Sequence, residues 1–341
     1  MTIGRRSASV LVSLATVFLW SAGVVAAPPE NGLVEVRIPS SADQSAQPAM
    51  VWAPARADAK PRPLLVFLHS WSGNWKQDNT LWLEQARQRG WIYLHPDFRG
   101  RNDHPEACGS KIARQDVLDS IDWAIRKYRV DPSRIYLAGV SGGGHMAMLM
   151  AARHPERFSG VTAWVGISDL ADWHQFHTKD GQPRQYATMT AASCGGPPGA
   201  SATVDAEYRD RSPIHWLQQV GDLPLDMNAG VHDGKTGSVP VSQSIRAFNV
   251  VARAGGHPVV SDAAMAELWR DDRLSKPGAQ DVAADMTYGR ALHLRRTAGA
   301  TRVTIFEGGH EGLPDAACKW LEQQTRQTQS TTNTRRGGSQ E

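Results

Sequence analysis

Arg134-Ile-Tyr-Leu-Ala138, then Gly139-Val140-Ser141-Gly142-Gly143, then Gly144-His-Met-Ala-Met-Leu-Met-Ala-Ala152 follow one another without interruption. The first piece is largely apolar and short, the pattern of a strand buried on both faces. The last is apolar almost all round, the pattern of a helix packed inside a protein. The chain therefore has to turn from a buried strand into a buried helix within the middle five residues. Glycines flank the serine because so tight a turn leaves no room for larger side chains. Such a turn lifts the Ser141 hydroxyl above the sheet with the helix amino end behind it. Ser141 is a candidate nucleophile, and its context is what separates it from a chance Gly-x-Ser-x-Gly.

Working outward, the strand–helix alternation continues in both directions. Leu33 to Ile38 and Met50 to Trp52 read as short antiparallel strands. Leu64 to Leu68, Trp91 to Leu94, Val161 to Val165, Leu225 to Val231 and Arg302 to Phe306 are apolar runs of strand length. Helical spacing appears in Ile112, Val117, Ile121, Ala124, Ile125 and Tyr128, and again in Val241, Ile245 and Phe248 behind Pro240. The class is α/β, with a mostly parallel central sheet and helices on both faces. Two connections, 169–223 and 257–300, exceed the usual loop length. Both follow strand ends, where open α/β sheets bind ligands.

A serine hydroxyl needs a base. Gly308-Gly309-His310 follows the last strand, so His310 can reach back to Ser141. A base needs an acid to fix its tautomer. Asp233, in His232-Asp233-Gly234 just past the strand ending at Val231, gives the order Ser141, Asp233, His310, which is the α/β-hydrolase order. Asp169 and Asp226 are the alternatives. The oxyanion calls for backbone donors, assigned to the N–H of Gly142 and of Trp71 in His69-Ser-Trp-Ser-Gly73. His69 reads as a residue that fixes this loop, and His145 as a satisfied core residue.

These stretches, with Ser238-Val-Pro240-Val-Ser-Gln-Ser244, resemble the single-domain α/β-hydrolases of the prolyl-oligopeptidase-like and dienelactone-hydrolase-like families over roughly 64–324. The resemblance implies an α/β-hydrolase fold and an acyl-enzyme on Ser141. In the family the acid sits in His-Gly-x-x-Asp-x-x-Val-Pro. Here that position is Thr236, and the acid on offer is Asp233, three residues earlier. Dienelactone hydrolases use cysteine where this chain has Ser141. Prolyl oligopeptidases carry a propeller, for which 341 residues leave no room.

Residues 1–27 read as a signal peptide: Arg5-Arg6, an uncharged run from Ala8 to Val25, then Ala26-Ala27 before Pro28-Pro29. The catalytic domain is expected over 28–324 and a disordered tail over 325–341. Cleavage removes two arginines and no acid, lowering the formal charge from +3 to +1. That balance predicts neither nucleic-acid binding nor stable membrane association. Export, to the medium or the periplasm, permits a disulfide. Cys108 and Cys194 sit in similar Cys-Gly settings and are expected to pair, while Cys318 reads as a helical core residue. His174 and His177 read as surface residues; no metal or cofactor is expected. With 12 tryptophans in the chain, Trp71, Trp75 and Trp173, together with Asp169, are the candidate substrate contacts, because aromatic faces suit sugar rings or phenolic acyl groups. Trp164, Trp216 and Trp269 lie in segments that could also surround the strand ends. The expected function is a serine carboxylesterase acting on a small molecule or acylated oligosaccharide. A prolyl-oligopeptidase-like serine peptidase is the second reading, and a binding protein on a hydrolase scaffold the third.

Overall fold

The computed structural model describes residues 32–55, 57, 59–281 and 284–326. The signal peptide expected over 1–27 lies outside them, as does the tail from 327 on. At the last described residue the Arg326 N–H donates to the Ser133 carbonyl at 3.0 Å.

Strands β1 (Val34–Pro39) and β2 (Ala46–Trp52) form an antiparallel pair. Then β3 (Arg62–Leu68), α1 (Thr80–Arg89), β4 (Ile92–Pro96), α2 (Lys111–Lys127), β5 (Val130–Val140), α3 (Gly142–Arg153) and β6 (Gly160–Trp164) alternate. The first long connection folds into α4 (Leu170–Phe176), the small hairpin β7 (Thr178–Lys179) and β8 (Gln182–Pro183), α5 (Gln185–Cys194) and α6 (Ala202–Arg211). After β9 (Leu225–Gly230) come α7 (Ser242–Ala254), α8 (Asp262–Asp271), β10 (Leu292–Ala298), β11 (Thr301–Phe306) and α9 (Pro314–Leu321).

The main sheet has the order β1-β2-β4-β3-β5-β6-β9-β11-β10. Its six central strands, β4 to β11 in that order, are parallel. The antiparallel strands sit at the two edges. This is the expected α/β-hydrolase arrangement, with one addition. Strand β10 was hidden in the second long connection, because Leu292-His-Leu-Arg-Arg-Thr-Ala298 alternates polar and apolar residues rather than forming an apolar run, as befits a half-exposed edge. Helix α3 lies against β5, β6 and β3, and all but its last residue are buried. The core is continuous through the sheet and includes Leu64, Val66, Tyr136, Leu137, Met148, Val161, Ile245 and Ile305. A second apolar cluster forms under the β6–β9 connection from Trp71, Cys108, Ile167, Trp173, Cys194 and Tyr208.

Candidate active site

The carboxyl ends of β3, β5, β9 and β11 point the same way, because these strands are parallel, and the loops leaving them meet. Ser141 follows β5 directly with φ 60° and ψ −116°, a conformation that costs a non-glycine residue energy and persists only where the surroundings enforce it. They do: its N–H donates to the Trp164 carbonyl at 2.9 Å, and α3 starts at the next residue. A side chain at Gly142 would place a Cβ 2.4 Å from the backbone nitrogen of Trp71. The absence of one lets the β3 loop reach the amino end of α3. The N–H groups of Trp71 and Gly142 thereby come together beside Ser141. As the first helical residue, Gly142 has no acceptor inside α3, and Trp71 has none among the described residues.

The β3 loop is held on several sides. The Ser70 N–H donates to the Gln77 side chain at 2.8 Å, the Ser70 hydroxyl donates to the Val140 carbonyl at 3.3 Å, and the Asn102 N–H donates to the Trp71 carbonyl at 2.9 Å. His69 does the loop-fixing expected of it. It stacks on Phe98 with centroids 3.8 Å apart, and its ring nitrogens meet the carbonyls of Ser70 and Asp97. Burial pushes its pKa down to about 4, against the two carbonyl contacts, which favour the charged ring. His145 donates from Nε2 to the Arg211 carbonyl at 2.8 Å and is also pushed down to about 4 by burial. It is a core residue, as expected.

Asp233 follows β9 and is fully buried. One carboxylate oxygen accepts from the N–H groups of Gly234 (2.9 Å) and Val239 (3.1 Å), and the other accepts from His310 Nδ1 at 2.8 Å. Gly237 permits this, since a Cβ there would lie 2.2 Å from Asp233 Oδ1 and 2.6 Å from the His310 Cβ. With Nδ1 donating, Nε2 is left as an acceptor. Its partner among the described residues is the Ser238 hydroxyl at 3.4 Å rather than Ser141. Ser141 and His310 nevertheless line one open cavity of about 590 Å³, with Ser70, Trp71, Asn74, Lys76, Gln77 and Tyr186.

The alternative acids are placed elsewhere. Asp169 caps α4 by accepting from the N–H groups of Ala171 and Asp172, because a side chain at a helix start is drawn to the free amides there. It is neither against His310 nor in the cavity, which corrects its assignment as a substrate contact. Asp226 is buried in β9 and accepts from Arg302 at 2.8 Å. Thr236, at the family's acid position, donates to the His232 carbonyl.

Two tryptophan assignments also change. Trp173 is fully buried and donates from Nε1 to the Ser238 carbonyl at 2.8 Å, so it supports the acid loop instead of contacting substrate. Trp75 turns to a neighbouring cavity of about 380 Å³ and lies between Arg37 and Lys76. Trp71 does line the main cavity. Trp164 is core, Trp216 sits under Arg153 at 4.0 Å, and Trp269 lines a separate groove with Phe176 and Met265. His174 is buried rather than at the surface, and His177 is half-buried and donates to the Ser238 carbonyl at 2.8 Å.

Cys108 and Cys194 come into the same apolar cluster, yet as free thiols rather than a disulfide. Cys194 ends α5 instead of lying in a loop. Burial pushes the Cys108 thiol up to about 12 and raises that of Cys194 as well, so both stay protonated. Cys318 is a buried residue of α9. Among the described residues no three His, Cys, Asp or Glu side chains cluster as metal ligands, and no helix is long and apolar enough to cross a membrane.

The sequence reading missed Tyr186, Asn74, Lys76 and Gln77 as cavity residues. Tyr186 belongs to α5, whose hydrophobic residues do not repeat on one face, so nothing in its pattern separated it from a loop.

A sheet in this order, a strained serine at a strand–helix turn, and a histidine on a buried aspartate define an α/β-hydrolase. The model of the prolyl oligopeptidase family matches residues 77–265, more than half of the chain, and the chain belongs to that family of serine hydrolases. Among curated proteins it is similar to feruloyl esterase B of Neurospora crassa, with 30% identity over 130 residues, which is 34% of this chain and 43% of the relative. It is 23% identical to acetylxylan esterase A of Emericella nidulans over 130 residues, 34% of this chain and 41% of the relative. Both matches thus span less than half of the relatives' length. Acylaminoacyl peptidase of Pyrococcus horikoshii superposes with a TM-score of 0.55 over 85% of this chain and 40% of that one, at 17% identity, a likeness of fold.

Proposed function

We propose that the protein is an exported serine carboxylesterase, acting on acylated carbohydrate through Ser141 as nucleophile, His310 as base and Asp233 as the acid that orients it. The observation that carries this reading is the His310 Nδ1 bond to fully buried Asp233 at 2.8 Å, above the cavity that Ser141 shares. His310 takes the Ser141 proton as Oγ attacks the acyl carbon. The Trp71 and Gly142 N–H groups receive the oxyanion. The proton then passes to the departing alcohol, and water releases the acid from Ser141.

Two features favour an ester over a peptide. The named similarities among curated proteins above are to esterases that act on feruloyl and acetylxylan groups. Glu35 and Asp78 line the neighbouring cavity, but no Asp or Glu is among the residues lining this one. Its neutral hydrogen-bonding side chains, Asn74, Gln77, Ser72 and Tyr186, suit hydroxyl-rich substrates. The test is a panel of nitrophenyl esters, acetylated and feruloylated sugars, and aminoacyl anilides. Esters are expected to turn over with kcat/KM at least a hundredfold above the anilides, about 3 kcal/mol in transition-state binding. Comparable anilide cleavage would make the peptidase reading the right one. Covalent labelling of Ser141 by a fluorophosphonate, abolished in Ser141→Ala, tests the nucleophile.

A further inference from the structure

His310 has a hydroxyl beside it that the reaction above leaves without a role. Ser238 Oγ lies 3.4 Å from Nε2, the nitrogen that handles protons when Nδ1 is committed to Asp233. The Ser238 main chain is unusually well fixed for a loop. Its carbonyl accepts from both Trp173 Nε1 and His177 Nε2 at 2.8 Å, and the next N–H, that of Val239, donates to Asp233. Those two rings pack in turn on Tyr186 of the cavity wall, at 5.1 and 5.0 Å between centroids. Ser238 itself is only partly buried, so solvent reaches it.

We propose that Ser238 is a positioning residue for deacylation: its hydroxyl and His310 Nε2 together hold the water that attacks the acyl group on Ser141. This rests on the acyl-enzyme reading above. In the first half-reaction the nucleophile is already placed by the backbone of the β5–α3 turn. In the second it is a free water, which must be located by hydrogen bonds alone. Two polar groups 3.4 Å apart bracket one such position. The water's proton passes to Nε2 as its oxygen bonds to the acyl carbon. The Ser141 Oγ–carbon bond then breaks, and the proton on Nε2 returns to Oγ. Ser238 gains and loses nothing; it accepts from or donates to the water throughout.

The test is stopped-flow hydrolysis of a 4-nitrophenyl ester, reading the burst and the steady state separately. In Ser238→Ala the burst rate and kcat/KM should hold within twofold. Steady-state kcat and KM should fall together by about tenfold, the worth of one well-placed hydrogen bond. Ser238→Thr should restore kcat. Ser238→Cys, near in size and a poor hydrogen-bonder, gives the same reading should the alanine variant be unstable. An unchanged kcat in both hydroxyl-free variants overturns the proposal, as does a fall in burst rate and kcat/KM without a change in their ratio to kcat. If the parent enzyme forms no acyl-Ser141 and Ser141→Ala stays active, the catalytic reading itself is lost, an outcome distinct from the other two.

Discussion

Three buried histidines make this fold sensitive to acid over a defined range. His69 on the β3 loop, His95 in β4 and His145 in α3 are all 2% exposed or less. Burial lowers each from 6.5 to about 4. The folded state therefore keeps them neutral while the unfolded chain protonates them below pH 6.5. Stability falls as pH drops from 6.5 to about 4 and stays down below that. At about 1.4 kcal/mol per pH unit, each histidine removes roughly 3 kcal/mol, and the three together about 10. Asp97 works the other way. Burial raises it from 3.8 to about 6, so it takes up its proton in the folded state first and returns up to about 3 kcal/mol over the same range. His154, His174, His177 and His215 are all lowered by burial too, and add to the loss. Asp116 is raised by burial as well and offsets a further part, so the net is on the order of 7 kcal/mol or less, comparable with the whole stability of a typical domain.

Calorimetry or circular dichroism melts at pH 7.0, 6.0, 5.0, 4.5 and 3.5, at constant ionic strength, read this directly. A shift of 7 kcal/mol corresponds to a fall in Tm on the order of 15 °C, most of it between pH 6 and 4.5. Because His69 fixes the loop that carries Trp71, hydrolysis of nitrophenyl esters should fall over the same range. A Tm constant within about 2 °C from pH 7 to 4.5 would refute the reasoning. So would a fall confined to pH below 4, which would point to carboxylates instead.

Ser141→Ala and His310→Ala should each lower kcat by about 10⁴ or more, and Asp233→Asn by a similar factor through the wrong tautomer, with melts unchanged to a few degrees. Asp169→Asn, by contrast, should retain most activity. Gly142→Ala would push the Trp71 nitrogen away from a Cβ 2.4 Å distant; a loss of about 10² to 10³ in kcat, on nitrophenyl esters, is the expected cost of one oxyanion donor. Intact-mass analysis of the protein expressed with its full sequence should find an amino terminus near Pro28, and a retained leader would reject the cleavage. Peptide mapping under non-reducing conditions should find Cys108 and Cys194, free thiols of one buried cluster, both alkylating once the protein is unfolded; a linked peptide pair would refute this.

The legible parts of the sequence were those in which one physical demand dominates. A central parallel strand must be apolar on both faces, so β3, β5, β6 and β9 stood out. A strand-to-helix turn around a serine must be lined with glycine, so Gly139 to Gly143 stood out. Asp233 could be read because it is the acid nearest the end of β9, although the family's position is held by Thr236. What stayed hidden depends on contacts across sequence. Trp173 looks like any other tryptophan in a long connection. Only the fold shows that it is buried against a carbonyl 65 residues away. Cys108 and Cys194, expected to pair, enter one cluster as free thiols, and no sequence pattern states whether two thiols are bonded.

The connection between β6 and β9 then has a function that neither its length nor its composition suggests. It does not simply cover the strand ends. Through Trp173 and His177 it grips the Ser238 carbonyl, and Ser238 lies next to Val239, whose N–H holds Asp233. Through Tyr186, packed on the same two rings, it also forms the cavity wall. Substrate shape and the orientation of the acid loop are thus set by one cluster. A change at Trp173 should consequently affect both binding and turnover. Trp173→Phe keeps the apolar bulk but withdraws one of the two donors to Ser238, leaving His177 to hold the carbonyl alone. A loss of about 1 kcal/mol in stability follows from the missing hydrogen bond. If the loop then moves as a unit, kcat should fall severalfold while the fluorophosphonate still labels Ser141. If His177 suffices, Tm falls and kcat does not, and the loop is held by the His177 bond to the Ser238 carbonyl without that of Trp173. The two outcomes separate support of the loop from simple packing beneath it.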